Sequence, residues 1–417
     1  MAKGGGKKVW TFEGLSGTHV NLLRLIGVLP FEGRTLEFIG SRILGLYCFV
    51  ISAIYNTMYL FPFARMLTNG DKDFDIGLLC EIVIIQSICI KYVIVFAKRE
   101  EFARLLGMCK KLWHHVRPEE ESGTVKMFEA KAYIIRAFLM YSSSIACVTY
   151  IVTGYCVRLP PLEPNGTARR ILPFQFYVDV QDEPMYSAVA CLQSIVCFTI
   201  ALIIPGYEST GLFLIMMACG YLRCISDRLY AMALDTHASL NTELSDDDRE
   251  HGVWKKGVAR GKALSRKDVV ECAVFHQETL IFCEGIERFT RSIYMTTLLG
   301  VLYNLSLIAI KLLQSDSDRF SLLSVFMLHS TSLYICQWSP QHLINESKGV
   351  SNAAYFATME HVVFDKETNK ILAIMMLRAQ RPVELTAGGY VRLSMQTFGS
   401  MLSNAFSFFT VLRNFSG

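Results

Sequence analysis

Charge is scarce in this chain. Only 19% of its 417 residues are Asp, Glu, Lys or Arg, while 52% are hydrophobic, and the mean hydropathy is +0.33. Such a balance excludes an ordinary soluble domain of this length and leaves an integral membrane protein. Catalytic signatures are missing too: there is no H-E-x-x-H, no G-x-S-x-G, no Walker A loop and no intramembrane carboxylate pair. Hydrolase and nucleotide-dependent chemistry therefore find no support, and no enzyme is expected. The 13 cysteines contain no C-x-x-C pair, so neither a zinc site nor any other metal or cofactor is implied. Most of them lie in apolar runs, where Cys behaves as a small hydrophobe. The start, Met1-Ala2-Lys3-Gly4 followed by Lys7-Lys8, lacks the apolar core and small-residue site of a cleavable signal, so the first span is expected to act as its own insertion signal.

What the chain does have is long apolar runs. Segments long enough to cross a bilayer, which takes about 20 residues each, lie near Phe38–Phe61, Phe74–Ala97, Lys131–Gly154, Met185–Ala201, Arg291–Leu313, Phe320–Cys336 and Val391–Leu412. These are seven spans. The fourth reads longer than its core, because apolar residues continue past Pro205-Gly206 to Leu229; Pro205 should kink that helix rather than end it. Lys and Arg then set the orientation. Segments 1–37, 97–131, 232–268 and 341–391 hold 25 basic residues, against six in 62–73, 155–184 and 314–319. The expectation is a cytoplasmic N-terminus and an extracellular C-terminus. The basic excess on the cytoplasmic side accounts for the net charge of +4, which gives no reason to invoke nucleic acid.

The organisation that follows is a cytoplasmic segment 1–37, six spans within 38–340, a cytoplasmic anchor region 341–390 and a last span within 391–417. Outer loop 155–184 interleaves Pro160, Pro161, Pro164, Pro173 and Pro184 with Leu172, Phe174, Phe176 and Tyr177, and is expected to form an ordered apolar lid. It also carries the sequon Asn165-Gly166-Thr167, a glycosylation candidate on the outer side. Asn304 begins another sequon, but inside a span. Inner segment 232–268, with Asp246-Asp247-Asp248 and then Lys255-Lys256, reads as a solvated loop. Amphipathic stretches at Asp268–Arg288, about Gly349–Phe364 and Lys366–Leu377 predict cytoplasmic helices that extend the last spans and pack together below the membrane. Glu81 is the notable acid inside a span, whereas Lys91 is placed near the inner boundary and expected to snorkel.

The last span carries a stripe. Thr397, Ser400, Asn404, Ser407, Val411 and Asn414 recur at spacings of three and four, which puts them on one helix face. That face is small and mostly polar, so it meets either a packed neighbour or water. A seven-span chain invites comparison with G-protein-coupled receptors, and Asp227-Arg228-Leu229-Tyr230 mimics their D-R-Y triplet. The triplet follows the fourth span rather than the third, and the N-terminus is inverted.

Three tail segments, Met376–Pro382, Leu385–Tyr390 and Ser407–Arg413, resemble the C-terminal signature of insect odorant receptors. The gustatory relatives end differently. The resemblance implies an all-α membrane protein of seven transmembrane helices, and an odorant-gated, nonselective cation channel of four subunits whose last spans surround a pore. It further implies work with a co-receptor in the plasma membrane of olfactory neuron dendrites. Aligned with the family's end, Val411 and Phe415 take the gate positions with Asn414 between them, and Ser407, Asn404 and Ser400 line the pore below. By the same family logic the odorant site lies in the outer half of the bundle. Counting inward along the spans nominates Cys80, Ile84 and Ile85; Ser143, Cys147 and Ile151; Ile195, Phe198 and Leu202; Val301; and Phe326, His329 and Ser330. A metabotropic chemoreceptor and a gustatory channel are the alternatives.

Overall fold

The computed structural model describes residues 10–29, 76–156, 158–159, 169–170, 172, 181–247, 266–314, 319–359 and 366–416, with scattered positions between 42 and 64. In chain order the elements are α1 (Phe12–Leu25), α2 (Ile76–Ala97), α3 (Arg99–Trp113), α4 (Ser122–Cys156), the strand pair β1 (Arg158–Leu159) and β2 (Arg169–Arg170), α5 (Met185–Asp247), α6 (Arg266–Gln314), α7 (Arg319–Met359), α8 (Lys366–Ala379), the strand pair β3 (Thr386–Ala387) and β4 (Val391–Arg392), and α9 (Met395–Ser416). Both strand pairs are antiparallel. Most of the predicted first span falls outside the described residues, as do Asn165 and most of loop 155–184.

The helices are long because the apolar periodicity runs on without a terminator. α5 has 63 residues, roughly 95 Å at ~1.5 Å per residue, about three times the ~30 Å of a hydrocarbon core. Pro205 sits inside it and does not end it; beside the missing N–H, the carbonyl of Gly206 accepts hydroxyl hydrogen bonds from Ser209 at 3.2 Å and Thr210 at 2.9 Å. The same helix runs on to Asp247, into the segment read from sequence as a loop. α6 joins the amphipathic stretch at Asp268–Arg288 to the fifth predicted span without a break, and α7 likewise continues through Pro340 to Met359. Among the described residues three helical stretches, Ser122–Thr153, Met185–Ala233 and Arg266–Lys311, are long and apolar enough to cross a membrane, and Ile82–Ala97 is a shorter apolar helix.

Burial differs along the bundle. The middle of α5, Leu214 to Cys219, is fully buried on every side, sheathed by α4, α6 and α7. On α4, by contrast, Ile134, Phe138, Tyr141, Ile145, Val148 and Val152 recur at spacings of three and four and are all exposed, Tyr141 by 72%. An apolar stripe of that length is a liability in water and a suitable face for hydrocarbon. α8 packs on α7 and α6, burying Leu372, Met375 and Ala379, so the amphipathic extensions do pack together within one chain.

The polar hinge before the last helix is a tight hairpin clipped to α6. Gly388 and Gly389 adopt φ of 65° and 85°, a left-handed conformation natural to glycine. The Gly388 amide donates to the Arg291 carbonyl at 3.0 Å, while Thr386 donates its amide (3.0 Å) and hydroxyl (2.5 Å) to Glu287. α9 then starts at a Ser394 cap, whose Oγ accepts the Thr397 amide at 3.2 Å. Two side-chain amides of α7 hold this start: Gln337 accepts from the Ser394 N–H at 2.8 Å and Gln341 from the Met395 N–H at 3.2 Å.

Candidate functional site

Five helices, α2, α4, α5, α6 and α7, converge on one cavity of about 820 Å³, counting its open mouth. Its walls are mostly apolar: Ile84, Ile85 and Ile88 from α2, Ala146 and Cys147 from α4, Ile200 and Ile204 from α5, Val301 from α6, and Val325 and Leu328 from α7. Polar groups are fewer: the hydroxyl residues Ser87 and Tyr150, and two clusters. A cavity with this lining suits a small, mostly apolar organic molecule, with a few hydrogen-bonding groups to orient it.

The first cluster is an ion pair at the cavity wall. Lys91 Nζ lies 2.8 Å from Glu208 Oε1, the Ser332 hydroxyl donates to the same oxygen at 2.8 Å, and the ammonium stands 5.2 Å from the Tyr207 ring centroid. Lys91 is 4% exposed and Glu208 5%. Lys91 therefore does not snorkel as expected; a partner 117 residues away gives it a counter-charge inside the bundle, where an unpaired ammonium would carry a large desolvation cost. Glu208 went unnoticed in the sequence because it lies beyond Pro205.

The second is a relay through α6 and α7. His329 Nδ1 lies 2.9 Å from the Val325 carbonyl, and His329 Nε2 lies 3.2 Å from Asn304 Nδ2. A carbonyl only accepts, so Nδ1 carries the proton of the neutral ring, Nε2 accepts, and the Asn304 amide must turn its NH₂ toward the ring. Asn304 is fully buried, and its Oδ1 has no hydrogen-bond partner among the described residues.

The nominated residues separate by helix. Ile84, Ile85, Cys147, Val301 and His329 line this cavity. Ser143 is buried just behind it, donating to the Ala201 carbonyl at 3.0 Å and so joining α4 to α5. Ile151, Phe326 and Ser330 are half-buried and do not line it. Ile195, Phe198 and Leu202 point outward, 50%, 59% and 39% exposed, and Cys197, Ile200 and Ile204 take the lining places on α5. One or two residues along a helix turn a side chain by about 100–200°. The side chain of Cys80 lies outside the described residues.

On α9, Phe398 packs edge-on to Tyr334 with ring centroids 5.9 Å apart, and Met401 Sδ lies 3.8 Å from Gln337 Nε2. The other side bears Ser400, Ser403, Asn404, Ser407 and Thr410, all exposed. Val411, Asn414 and Phe415 belong to the same helix, but their side chains lie outside the described residues.

Similarity to known proteins runs through the same elements. Odorant receptor 10 of Aedes albopictus is 21% identical over 293 residues, spanning 68% of this chain and 69% of that receptor. Odorant receptor Or2 of Anopheles gambiae is 22% identical over 242 residues, 57% of this chain and 58% of that one. In three dimensions the chain is similar to the insect olfactory receptor OR5 from Machilis hrabei in complex with eugenol, with a TM-score of 0.72 at 11% identity, covering 96% of this chain and 98% of that one. A second structure of the same receptor gives a TM-score of 0.69 at 12% identity. The 7tm odorant receptor family model matches residues 76–406, from the first turn of α2 into the middle of α9, and the chain belongs to that family.

Proposed function

We propose that this chain is an odorant-tuned subunit of a ligand-gated, nonselective cation channel. It crosses the plasma membrane seven times with its N-terminus inside, and it works in a heterotetramer with a co-receptor in olfactory neuron dendrites. The observation that carries the reading is the five-helix cavity, apolar over most of its wall with a few buried polar groups. A small volatile organic molecule enters it, and Ile84, Ile85, Cys147, Val301 and His329 are among the side chains it meets. The solved relative described with eugenol is a precedent for such a ligand in this fold.

The output is read at α9. Its polar residues Ser400, Asn404 and Ser407 are exposed in the single chain, which supports a helix that lines water shared with neighbouring subunits. Val411 and Phe415 form the constriction, with Asn414 between them, and an apolar constriction in such a wall gates by dewetting. Ligand binding opens the pore only if the ligand binds the dilated state more tightly than the closed one. Since α7 both lines the cavity and holds the α9 start through Gln337 and Gln341, a shift of α7 moves the pore helix.

Expression in cells with and without the co-receptor, recording currents under an odorant panel while G-protein signalling is blocked, tests this reading. Currents that survive the block and need the co-receptor support it. Responses that disappear with the block would indicate a metabotropic receptor instead.

A further inference from the structure

We infer that the cavity selects odorants bearing a carbonyl group, whose oxygen accepts hydrogen bonds from Ser87 and Lys91 on α2. This rests on the proposed reading of the cavity as the odorant site and names the chemical class that fits it.

Two donors stand open on the α2 wall. Ser87 is half-buried and lines the cavity. Elsewhere in the bundle Ser143, Ser194 and Thr199 turn their hydroxyls back to a carbonyl of their own helix. The Ser87 hydroxyl bonds to none of the described residues and keeps accessible surface. It stands over α6, where a Cβ at Gly300 would come within 2.5 Å of its Oγ, so the glycine is what leaves the hydroxyl its place. Lys91 follows four residues later, a spacing that shares a helix face with Cβ atoms about 5–6 Å apart, and it lines the same cavity. One of its three N–H groups turns to Glu208 Oε1 at 2.8 Å, and the Tyr207 ring stands 5.2 Å away. No other acceptor meets the ammonium among the described residues.

An ammonium only donates. The carboxylate that balances it is already committed, since Glu208 Oε1 accepts from both Lys91 and Ser332, and Glu208 does not itself line the cavity. The α2 wall therefore calls for an acceptor on the ligand. A carbonyl oxygen has two lone pairs and no proton to place, so it can take one bond from Ser87 and one from Lys91, the latter of the stronger, charge-assisted kind. A hydrocarbon of the same skeleton leaves both donors unmet. A protonated amine sets a second positive charge beside the ammonium.

The test uses the chain co-expressed with its co-receptor and matched probes: straight-chain methyl ketones from pentanone to undecanone and acetophenone, each beside the hydrocarbon in which CH₂ replaces the carbonyl and the amine in which CH–NH₂ replaces it. The expected result is a roughly tenfold or larger advantage in half-maximal concentration for the best ketone over its hydrocarbon, the range that one buried bond to a charged donor gives, with the amine weaker than the ketone. Ser87→Ala removes one donor without stranding a partner and should cut the ketone advantage several-fold; Gly300→Ala crowds the same hydroxyl and should act in the same direction. Lys91→Met is made together with Glu208→Leu, so that no charge is left unpaired. With Ser87→Ala added, that variant should abolish the ketone advantage while the hydrocarbon response stays. Surface labelling confirms that each variant reaches the membrane, and where the triple variant does not, Ser87→Ala decides alone. Equal potency of ketone and hydrocarbon in the unmodified chain, silence toward every ketone, or an advantage that Ser87→Ala leaves unchanged overturns the inference. Cys147→Phe and Val301→Phe each fill the cavity. If both leave every response unchanged, the odorant-site reading itself fails; if they abolish responses while ketone and hydrocarbon are equal in the unmodified chain, that reading stands and the carbonyl preference alone falls.

Discussion

Lys91 Nζ and Glu208 Oε1 meet at 2.8 Å within the helical bundle, with both side chains nearly excluded from solvent. Removing one member strands the other as an uncompensated buried charge, with a cost of about 3–5 kcal/mol. Lys91→Met and Glu208→Leu are each expected to lower the thermal midpoint and surface abundance sharply. The double substitution should recover much of the loss, since well-packed apolar pairs of similar size are often tolerated. A double variant as unstable as the singles would show that the pair does more than neutralise itself.

The hinge gives a second prediction. Gly388 has φ of +65°, and an added Cβ would come within 3.1 Å of Met295 Sδ. Gly388→Ala should cost about 1–2 kcal/mol from the left-handed backbone alone, and Glu287→Ala should release Thr386 from both its bonds. Hydrogen exchange at Gly388 and Leu393, whose amides bond to Arg291 and Leu385, should speed up in both variants. Unchanged protection would mean that the hairpin holds itself without α6.

His19 gives a pH dependence outside the spans. It is 2% exposed, its ring centroid is 4.5 Å from that of Phe213, and burial first, then the charges of Arg136 and Lys126, hold its pKa well below the ordinary 6.5. Glu129, 3.9 Å away, is already bonded by Lys126 and leaves the ring neutral. Above pH 6.5 folded and unfolded chains both carry a neutral ring. As pH falls below that value the unfolded chain takes up a proton that the folded one refuses, so stability declines. His19→Phe should flatten the thermal midpoint between pH 7 and pH 5; an unaltered slope would assign the acid sensitivity to another group.

At the proposed gate on α9, Val411→Ser and Phe415→Ser should raise the basal leak several-fold in the absence of odorant, because a wetted constriction no longer excludes ions. Ser407→Ala should alter conductance more than leak. An unchanged leak in both gate variants would place the constriction elsewhere along α9.

Legibility differed between helices for a physical reason. On α4 and α7 inward counting reached Cys147 and His329 but also named Ser143, Ile151, Phe326 and Ser330, which do not line the cavity, whereas on α2 both Ile84 and Ile85 line it. α5 is apolar on nearly every face across its upper half, and a helix without a polar face gives no rotational reference; hence Ile195, Phe198 and Leu202 were nominated where Cys197, Ile200 and Ile204 line the cavity. The Lys91–Glu208 pair had a signal that went unused, since opposite charges in two apolar runs are expected to find each other. Asn304 was visible only as a sequon inside a span. Its hydrogen-bonding state depends on the tautomer of a histidine 25 residues away, which no local pattern encodes.

The most direct measurement of the central claim is current through excised membrane patches holding this chain with its co-receptor, bathed in nucleotide-free solution. Addition of an activating odorant should open unitary cation currents within the patch, with Val411→Ser and Phe415→Ser altering their closed state. Patches that fall silent on excision, while intact cells carrying the same chain still respond, would contradict a pore formed by the receptor itself.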